Sequence, residues 1–213
     1  MNNKQKTRFM VLTAAFISIH IVMTAIPFLG FIPLGVINIT TLHIPTILAG
    51  ILLGVKGGAT IGLTFGIVSV TNATLRPGLT SFLFSPLAPA PDGFSGNPLS
   101  LVIAIVPRVL LGVLAALIYQ WLRNEKWKIP APVATAITAV TVTLLHTVMV
   151  LGLIFVIFVE PYAAALSLAG SRAVLAFLGV VAVQNGIPEA ILAGVLITKL
   201  VLILEPKVKR MMS

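Results

Sequence analysis

Residues 9–55 form the longest run of the chain without a formal charge, and this run limits what the chain can fold into. A membrane-spanning helix needs about 20 apolar residues, so the run is too long for one helix and long enough for two. Pro27, Gly30, Pro33 and Gly35 interrupt it midway. Only 9% of all residues are charged, against about 25% in ordinary globular domains. We therefore predict an all-α protein whose solvent is the lipid bilayer.

The apolar segments predict a polytopic membrane protein that forms a single domain over residues 1–213. Proline and glycine breaks separate six candidate spans. Between the last two spans, residues 161–184 are apolar but interrupted, and they are predicted as a loop with a short outer helix. The predicted spans are 8–28, 41–55, 57–75, 98–122, 130–158 and 186–204.

The basic residues orient these spans. Ten of the fourteen lysines and arginines fall on one side of the predicted bundle, which identifies that side as the cytoplasm of a plasma-membrane protein. Both termini lie on that side, and six spans satisfy the even number that this requires. The net charge of +9 does not indicate nucleic-acid binding, because the basic residues flank apolar segments instead of sharing one folded face. The ten are Lys4, Lys6, Arg8, Lys56, Arg123, Lys126, Lys128, Lys207, Lys209 and Arg210.

Two sets of small residues recur at every fourth position. Glycines occupy positions 50, 54, 58, 62 and 66, a spacing that lets helix backbones approach closely. Ala14 and Ser18 form a second small pair on the first span. That pair has two interpretations, either packing inside the bundle or a flat contact face for a membrane partner.

Arg108 is the most unusual residue of the predicted spans. It lies ten residues into the span 98–122, which places it about 15 Å deep at the helical rise and near the bilayer midplane. Charges at this depth are costly and usually functional. Two interpretations stay open, a structural ion pair with Glu189 or a counter-charge for an anionic solute.

Other polar and aromatic residues cluster near the outer ends of the spans. Arg76 is a second candidate for the solute's negative charge, and Glu189 either caps the last helix or accepts hydrogen bonds from ligand hydroxyls. His146 and His43 are either satisfied interior histidines or ligand contacts. We predict a pocket roofed by residues 29–41, 76–97 and 160–185 and walled by the last three spans. Further candidate ligand contacts are Asn72, Asn185, Phe84 and Tyr162.

Several other kinds of chemistry find little support. Residues 93–96 read GFSG, which matches the serine motif of intramembrane proteases, and His146 lies on a later span. This alternative class, with Ser95 as nucleophile, depends on four residues in a turn-rich loop. The chain has no P-loop, so it does not hydrolyse ATP itself. It also lacks cysteine and any metal-ligand motif, so we expect no metal and no cofactor.

Three segments carry a family resemblance. Residues 42–54 read LHIPTILAGILLG, residues 62–69 read GLTFGIVS with Asn72 just beyond, and residues 185–190 read NGIPEA. In these segments, and in length and span number, the chain resembles the substrate-binding S components of energy-coupling factor (ECF) transporters. Within that family it is most similar to the pantothenate-specific members, and another anionic vitamin such as folate stays an alternative.

The resemblance implies a six-helix subunit that binds a vitamin from outside. The subunit would then dock on a transmembrane coupling protein, the T component, which is served by two ABC-type ATPase subunits. In the family, a small-residue A-x-x-x-A face on the first helix touches the coupling protein. The matching positions here are Ala14 and Ser18, where serine replaces the second alanine.

Overall fold

A computed structural model describes residues 2–26, 29–34, 37–92, 94, 96–127 and 129–212, most of which are helical, with one short β-hairpin and several connecting loops. Five helical segments of this part of the chain are long and apolar enough to cross a membrane, in agreement with the predicted helical membrane protein. They are Asn3–Ala25, His43–Leu75, Ser100–Leu122, Ala131–Ala165 and Ser171–Met211. The elements are α1 Asn3–Ala25, β1 Phe31–Leu34, β2 Ile37–Thr40, α2 His43–Leu75, a 3₁₀ turn Ser81–Leu83, α3 Ser100–Leu122, α4 Ala131–Ala165, α5 Ser171–Val181 and α6 Ile187–Met212.

Three helices extend beyond their predicted spans, and one of them, α6, continues past residue 204 to Met212. α1 starts before residue 8 because Asn2 and Gln5 form a capping box, each side chain bonding the other's backbone N–H. α4 continues past residue 158 to Ala165, with a local non-helical conformation at Phe158. That distortion precedes Pro161, which cannot donate a helical hydrogen bond and crowds the turn before it.

The chain reverses direction inside α2, at Gly54. Gly54 has a φ of 75°, a left-handed value that glycine adopts without steric cost. A Cβ built on Gly58 would lie 3.0 Å from the Cα of Gly50, although these residues would be about 12 Å apart in a straight helix. α2 is therefore two helical arms, residues 43–53 and 55–75, folded against each other.

The glycine repeat packs α2 tightly against α3. A Cβ on Gly58 would collide with the carbonyl oxygen of Gly112, and one on Gly62 would collide with that of Arg108. At Gly66 the added Cβ would lie 3.0 Å from the carbonyl oxygen of Ala104. These contacts run antiparallel along the two helices and fix the depth and rotation of α3, and with it the position of Arg108.

Gly66→Ala should destabilise the protein by about 1–3 kcal/mol, because the new methyl group meets α3 backbone that cannot move aside. Gly152→Ala is the matched control, since Gly152 is an exposed glycine of α4 with no neighbour within 4 Å of its added Cβ. Thermal unfolding in detergent would compare the two variants. Equal midpoints would mean that the close approach of α2 and α3 does not limit stability.

Part of the predicted roof segment 29–41 is a β-hairpin. β1 and β2 pair antiparallel, with Phe31 opposite Thr40 and Leu34 opposite Ile37. No strand was predicted there, because each strand has only four residues and both lie inside the long run without a formal charge. Backbone that is not helical is tolerated at membrane depth where protein or a cavity surrounds it.

The segment 161–184 contains the predicted short helix, but that helix is not separated from the last span. α5 runs into α6 through one π-helical turn, Ala182–Gly186. The wider turn lies just before Pro188, which in a regular α-helix would leave the carbonyl of Gln184 without a donor. The prediction of a break at this point is therefore wrong, because the π turn accommodates the proline without ending the helix.

The two ends of the chain lie side by side. The Arg8 guanidinium donates a hydrogen bond to the carbonyl oxygen of Met211. Near the same end, the Tyr119 hydroxyl donates to Glu205, which forms an ion pair with Lys209 at 2.7 Å. The first and last helices thus begin and end at one end of the bundle.

Candidate functional site

A cavity of about 140 Å³ opens at the end of the bundle away from the chain termini. It takes residues from each predicted roof segment and from α3, α4 and α6. The lining residues are Thr40, Thr80, Leu83, Phe84, Arg108, His146, Thr147, Val150, Leu151, Ile154, Tyr162, Val181, Asn185 and Glu189.

Arg108 is the cation of this cavity. Its side chain is 6% exposed, and its guanidinium carbon lies 5.4 Å from the ring centroid of Phe65 and 5.1 Å from that of Phe84. Two aromatic faces therefore flank the charge and contribute cation–π attraction. Within the part of the chain that the structure describes, Arg108 makes no ion pair, and its Nε has no hydrogen-bond partner. The Arg108 guanidinium and the Glu189 carboxylate form no direct salt bridge in the structure, although the two charges attract each other across the cavity.

The residue before Arg108 explains where one of its hydrogen bonds goes. In a regular helix the N–H of residue 107 donates to the carbonyl oxygen of Ile103, but Pro107 has no N–H. That carbonyl accepts a hydrogen bond from Nη1 of Arg108 instead. The Ile103 carbonyl oxygen, which Pro107 leaves without its helical donor, thus bonds one NH₂ group of the Arg108 guanidinium.

Glu189 is a second buried charged residue of the cavity lining. It is 8% exposed, and its Oε1 accepts a hydrogen bond of 2.9 Å from the backbone N–H of Thr40. Because α5, the π turn and α6 are continuous, no free helix N-terminus exists here for Glu189 to cap. The carboxylate instead connects α6 to the end of β2, and it reaches the cavity with its remaining acceptor positions.

Four more of the predicted contacts line the cavity. His146 is 5% exposed, and its Nε2 has no hydrogen-bond partner among the described residues. The centroid of its ring lies 6.1 Å from that of Phe65. Asn185 projects from the π turn, a feature often found at functional sites. Phe84 and Tyr162 supply aromatic wall. The sequence therefore identified a cation, an acid, an imidazole, an amide and two rings that share one cavity.

Three predicted contacts lie elsewhere. His43 is 1% exposed and lies outside the cavity wall, with its Nδ1 at 2.7 Å from the carbonyl oxygen of Thr40. Asn72 and Arg76 line a separate groove between α1 and α2, where the Arg76 guanidinium donates to the carbonyl oxygen of Thr24 at 3.3 Å. The structure does not bring Asn72 or Arg76 together with Arg108.

Sequence reasoning missed Thr147 and Phe65. Thr147 lines the cavity beside His146, and its side chain packs against Gly186 of the π turn. Phe65 is fully buried and contacts the rings or charges of three polar residues, His20, Arg108 and His146. Its place between Gly62 and Gly66, the glycines that bring α3 close, is the signal that could have identified it.

Ala14 and Ser18 lie on the exposed face of α1, opposite the buried residues Thr13, Phe16 and His20. The Ser18 hydroxyl donates to the carbonyl oxygen of Ala14 at 3.0 Å, so it is satisfied within its own helix. This small-residue face therefore does not pack inside the chain.

The protease and metal alternatives gain nothing from the described residues. Ser95 and Gly93 lie outside the residues that the structure describes, and His146 lines the cavity. Within the described ranges, no group of three His, Asp or Glu side chains is arranged to hold a metal ion.

Comparison with known proteins identifies the family. Residues 8–201 match the family described as ECF transporter, substrate-specific component. The pantothenic acid transporter PanT of Lactococcus lactis subsp. cremoris (strain MG1363) is 33% identical over 205 residues, which cover 93% of this chain and 94% of that protein. The pantothenate transporter PanT of Leuconostoc mesenteroides subsp. mesenteroides is 31% identical over 131 residues, 59% of this chain and 57% of that relative. The chain belongs to the family of substrate-specific components of ECF transporters.

Proposed function

We propose that this chain binds pantothenate from outside the cell and delivers it for ATP-driven uptake by partner subunits. Two relatives are named as transporters of this vitamin, and one of them aligns along nearly its whole length. Membership in a transport family makes the chain a membrane transport subunit and not an enzyme. The observation that carries the choice of an anionic vitamin is Arg108, a buried cation of the cavity lining that forms no salt bridge with any described residue.

The proposal assigns a lining residue to each chemical group of pantothenate. Arg108 would bind the carboxylate, because a guanidinium presents paired donors to a carboxylate. Glu189, Asn185 and Thr147 would bind the hydroxyls and the amide. Phe84 and Tyr162 would cover the apolar part of the chain. His43, Asn72 and Arg76 are predicted contacts that this assignment does not need.

We infer six membrane crossings with both termini in the cytoplasm. The reversal at Gly54 adds one crossing to the five apolar helical segments, and the Arg8–Met211 hydrogen bond favours an even number. The first arm of α2, residues 43–53, is about 16 Å long and too short to span the hydrocarbon alone. The β-hairpin before it would supply the remaining depth, and the concentration of basic residues at the chain ends favours a cytoplasmic location.

The proposed partners follow from the family. ECF substrate-specific components work in the membrane with a T component and ATPase modules. Since this chain has no P-loop, the energy has to come from other subunits, which we propose are a coupling protein and two ABC-type ATPases. Ala14 and Ser18 supply a small, exposed face for the coupling protein.

A vitamin panel tests the assignment. Liposomes containing the chain with a coupling module should take up labelled pantothenate when ATP is present, and omitting this chain should abolish that uptake. Folate is the alternative substrate, and preferred uptake of folate would overturn the choice of vitamin. A peptidase activity lost in Ser95→Ala, with solute binding unchanged, would instead favour the protease.

A further inference from the structure

We propose that Pro107 is a positioning residue for the substrate site. Because Pro107 has no N–H, the carbonyl oxygen of Ile103 remains free to accept a hydrogen bond from the Arg108 guanidinium, and this bond holds the guanidinium in place. This inference assumes the proposed function, in which Arg108 binds the carboxylate of the vitamin. Pro107 itself does not line the cavity. It is buried inside α3 and acts through the residue that follows it.

Proline changes the Ile103 carbonyl in two ways. It removes the N–H that would otherwise donate to this oxygen, and its ring crowds the carbonyl four residues earlier, which tilts that oxygen away from the helix axis. The oxygen belongs to a buried part of the helix, because Ile103 and the next residue, Ala104, are both 0% exposed. A buried carbonyl without a donor is costly, and here the donor is Nη1 of Arg108.

The Arg108 side chain has few other restraints. Phe65 and Phe84 flank the guanidinium plane, but aromatic faces do not determine its rotation within that plane. The hydrogen bond to Ile103 is its one hydrogen bond within the described residues, so this bond selects which edge of the guanidinium remains for a ligand. An arginine fixed before binding loses less side-chain entropy when the ligand arrives.

The backbone of α3 is positioned to make the missing hydrogen bond. α3 remains helical through Pro107, and the glycines of α2 hold it from Ala104 to Gly112. In Pro107→Ala, the restored N–H would therefore reach the Ile103 oxygen and draw it back toward the helix axis. The guanidinium would lose its tether and sample other rotamers.

The proposal predicts opposite changes in stability and affinity. Pro107→Ala should raise the thermal unfolding midpoint, because a proline inside a helix is unfavourable. It should also weaken vitamin binding by roughly two- to tenfold, the usual range for one hydrogen bond. A proline with a purely structural role would change the midpoint and leave the affinity unchanged.

Pro206→Ala is the matched control, since Pro206 lies inside α6 near the cytoplasmic end and away from the cavity. It should raise the midpoint and leave affinity unchanged. A second variant replaces Pro107 with lactic acid during cell-free synthesis, which substitutes an ester for the amide and so also lacks the N–H. It should bind the vitamin more tightly than Pro107→Ala does.

Isothermal titration with pantothenate and thermal unfolding would be measured on the purified full chain of each variant. Unchanged affinity in Pro107→Ala would overturn the proposal, because it would mean that the carbonyl accepts both donors or that the tether is unimportant. Ester and alanine variants of equal affinity would also overturn it. The measurement on the wild-type chain tests the proposed function separately. If the wild-type chain does not bind pantothenate, the proposed function is contradicted and not the role of Pro107.

Discussion

Arg108→Ala should lower the affinity of the isolated subunit for pantothenate by roughly ten- to hundredfold, because a charge-assisted hydrogen bond contributes about 1.5–3 kcal/mol. The effect should be larger than that of any other cavity substitution, since Arg108 is the one cation among the lining residues. Binding in detergent would be measured together with thermal stability. Arg172→Ala, at an exposed arginine of α5 outside the cavity, is the matched control and should bind normally.

Two further variants separate the charge from the shape of the side chain. Arg108→Lys keeps the charge but loses the planar fork, so its affinity should fall between wild type and Arg108→Ala. Arg108→Met keeps a long stem between Phe65 and Phe84 and should fold even if the alanine variant leaves a damaging void. Normal binding by a folded Arg108→Met protein would contradict the carboxylate role.

Glu189→Ala distinguishes a ligand site from an internal ion pair. If Arg108 and Glu189 were a structural pair, removing either would leave an unpaired buried charge and destabilise the protein strongly. In the structure Glu189 accepts a hydrogen bond from Thr40, and Arg108 donates to Ile103. We therefore expect Glu189→Ala to weaken binding and loosen the hairpin without a loss of stability as large as a broken buried ion pair would cause.

The depth of each residue could be predicted from the sequence, whereas its position around the bundle could not. Asn72, Arg76 and Arg108 were grouped because all lie on apolar spans toward the outer side. Asn72 follows Gly66 by six residues, a rotation of about 240° around the helix. Since Gly66 faces α3, Asn72 faces α1 and the separate groove. A depth estimate contains no such angular information.

Helix packing and chain reversal could be predicted at the glycines, because a glycine has a similar effect wherever it occurs in this helix pair. The glycine repeat predicted close packing, and the turn near Lys56 is a reversal at Gly54. The effects of the prolines were harder to predict, because each effect depends on which group donates a hydrogen bond to the carbonyl oxygen that the proline leaves without its helical donor. Pro188 follows a π turn, Pro161 follows a distortion at Phe158, and Pro107 leaves a carbonyl to Arg108. All three outcomes involve residues close to the proline in sequence, but proline alone does not determine whether a wider turn, a distortion or a side chain compensates for the missing donor.

Ala14→Trp and Ser18→Trp should abolish most vitamin uptake while leaving binding by the isolated subunit intact. Both residues are exposed on α1, so a large side chain disturbs nothing inside the chain. A close helix contact with the coupling protein would be forced apart, because small residues are what allow backbones to approach. Overpacking of about 1–3 kcal/mol corresponds to roughly five- to hundredfold weaker association.

Ile19→Trp is the matched control, because Ile19 is 44% exposed on α1 but lies about 120° around the helix from the small-residue face. It should transport normally. Ser18→Ala should also transport normally, since the Ser18 hydroxyl already donates its hydrogen to the carbonyl oxygen of Ala14 and alanine keeps the face small. Uptake and co-purification with the coupling protein would be measured for all four variants. Equal losses of binding and uptake in the two small-face tryptophan variants would show that this face supports the fold of the subunit and not its assembly, since a contact with a partner alone cannot change the affinity of the isolated chain.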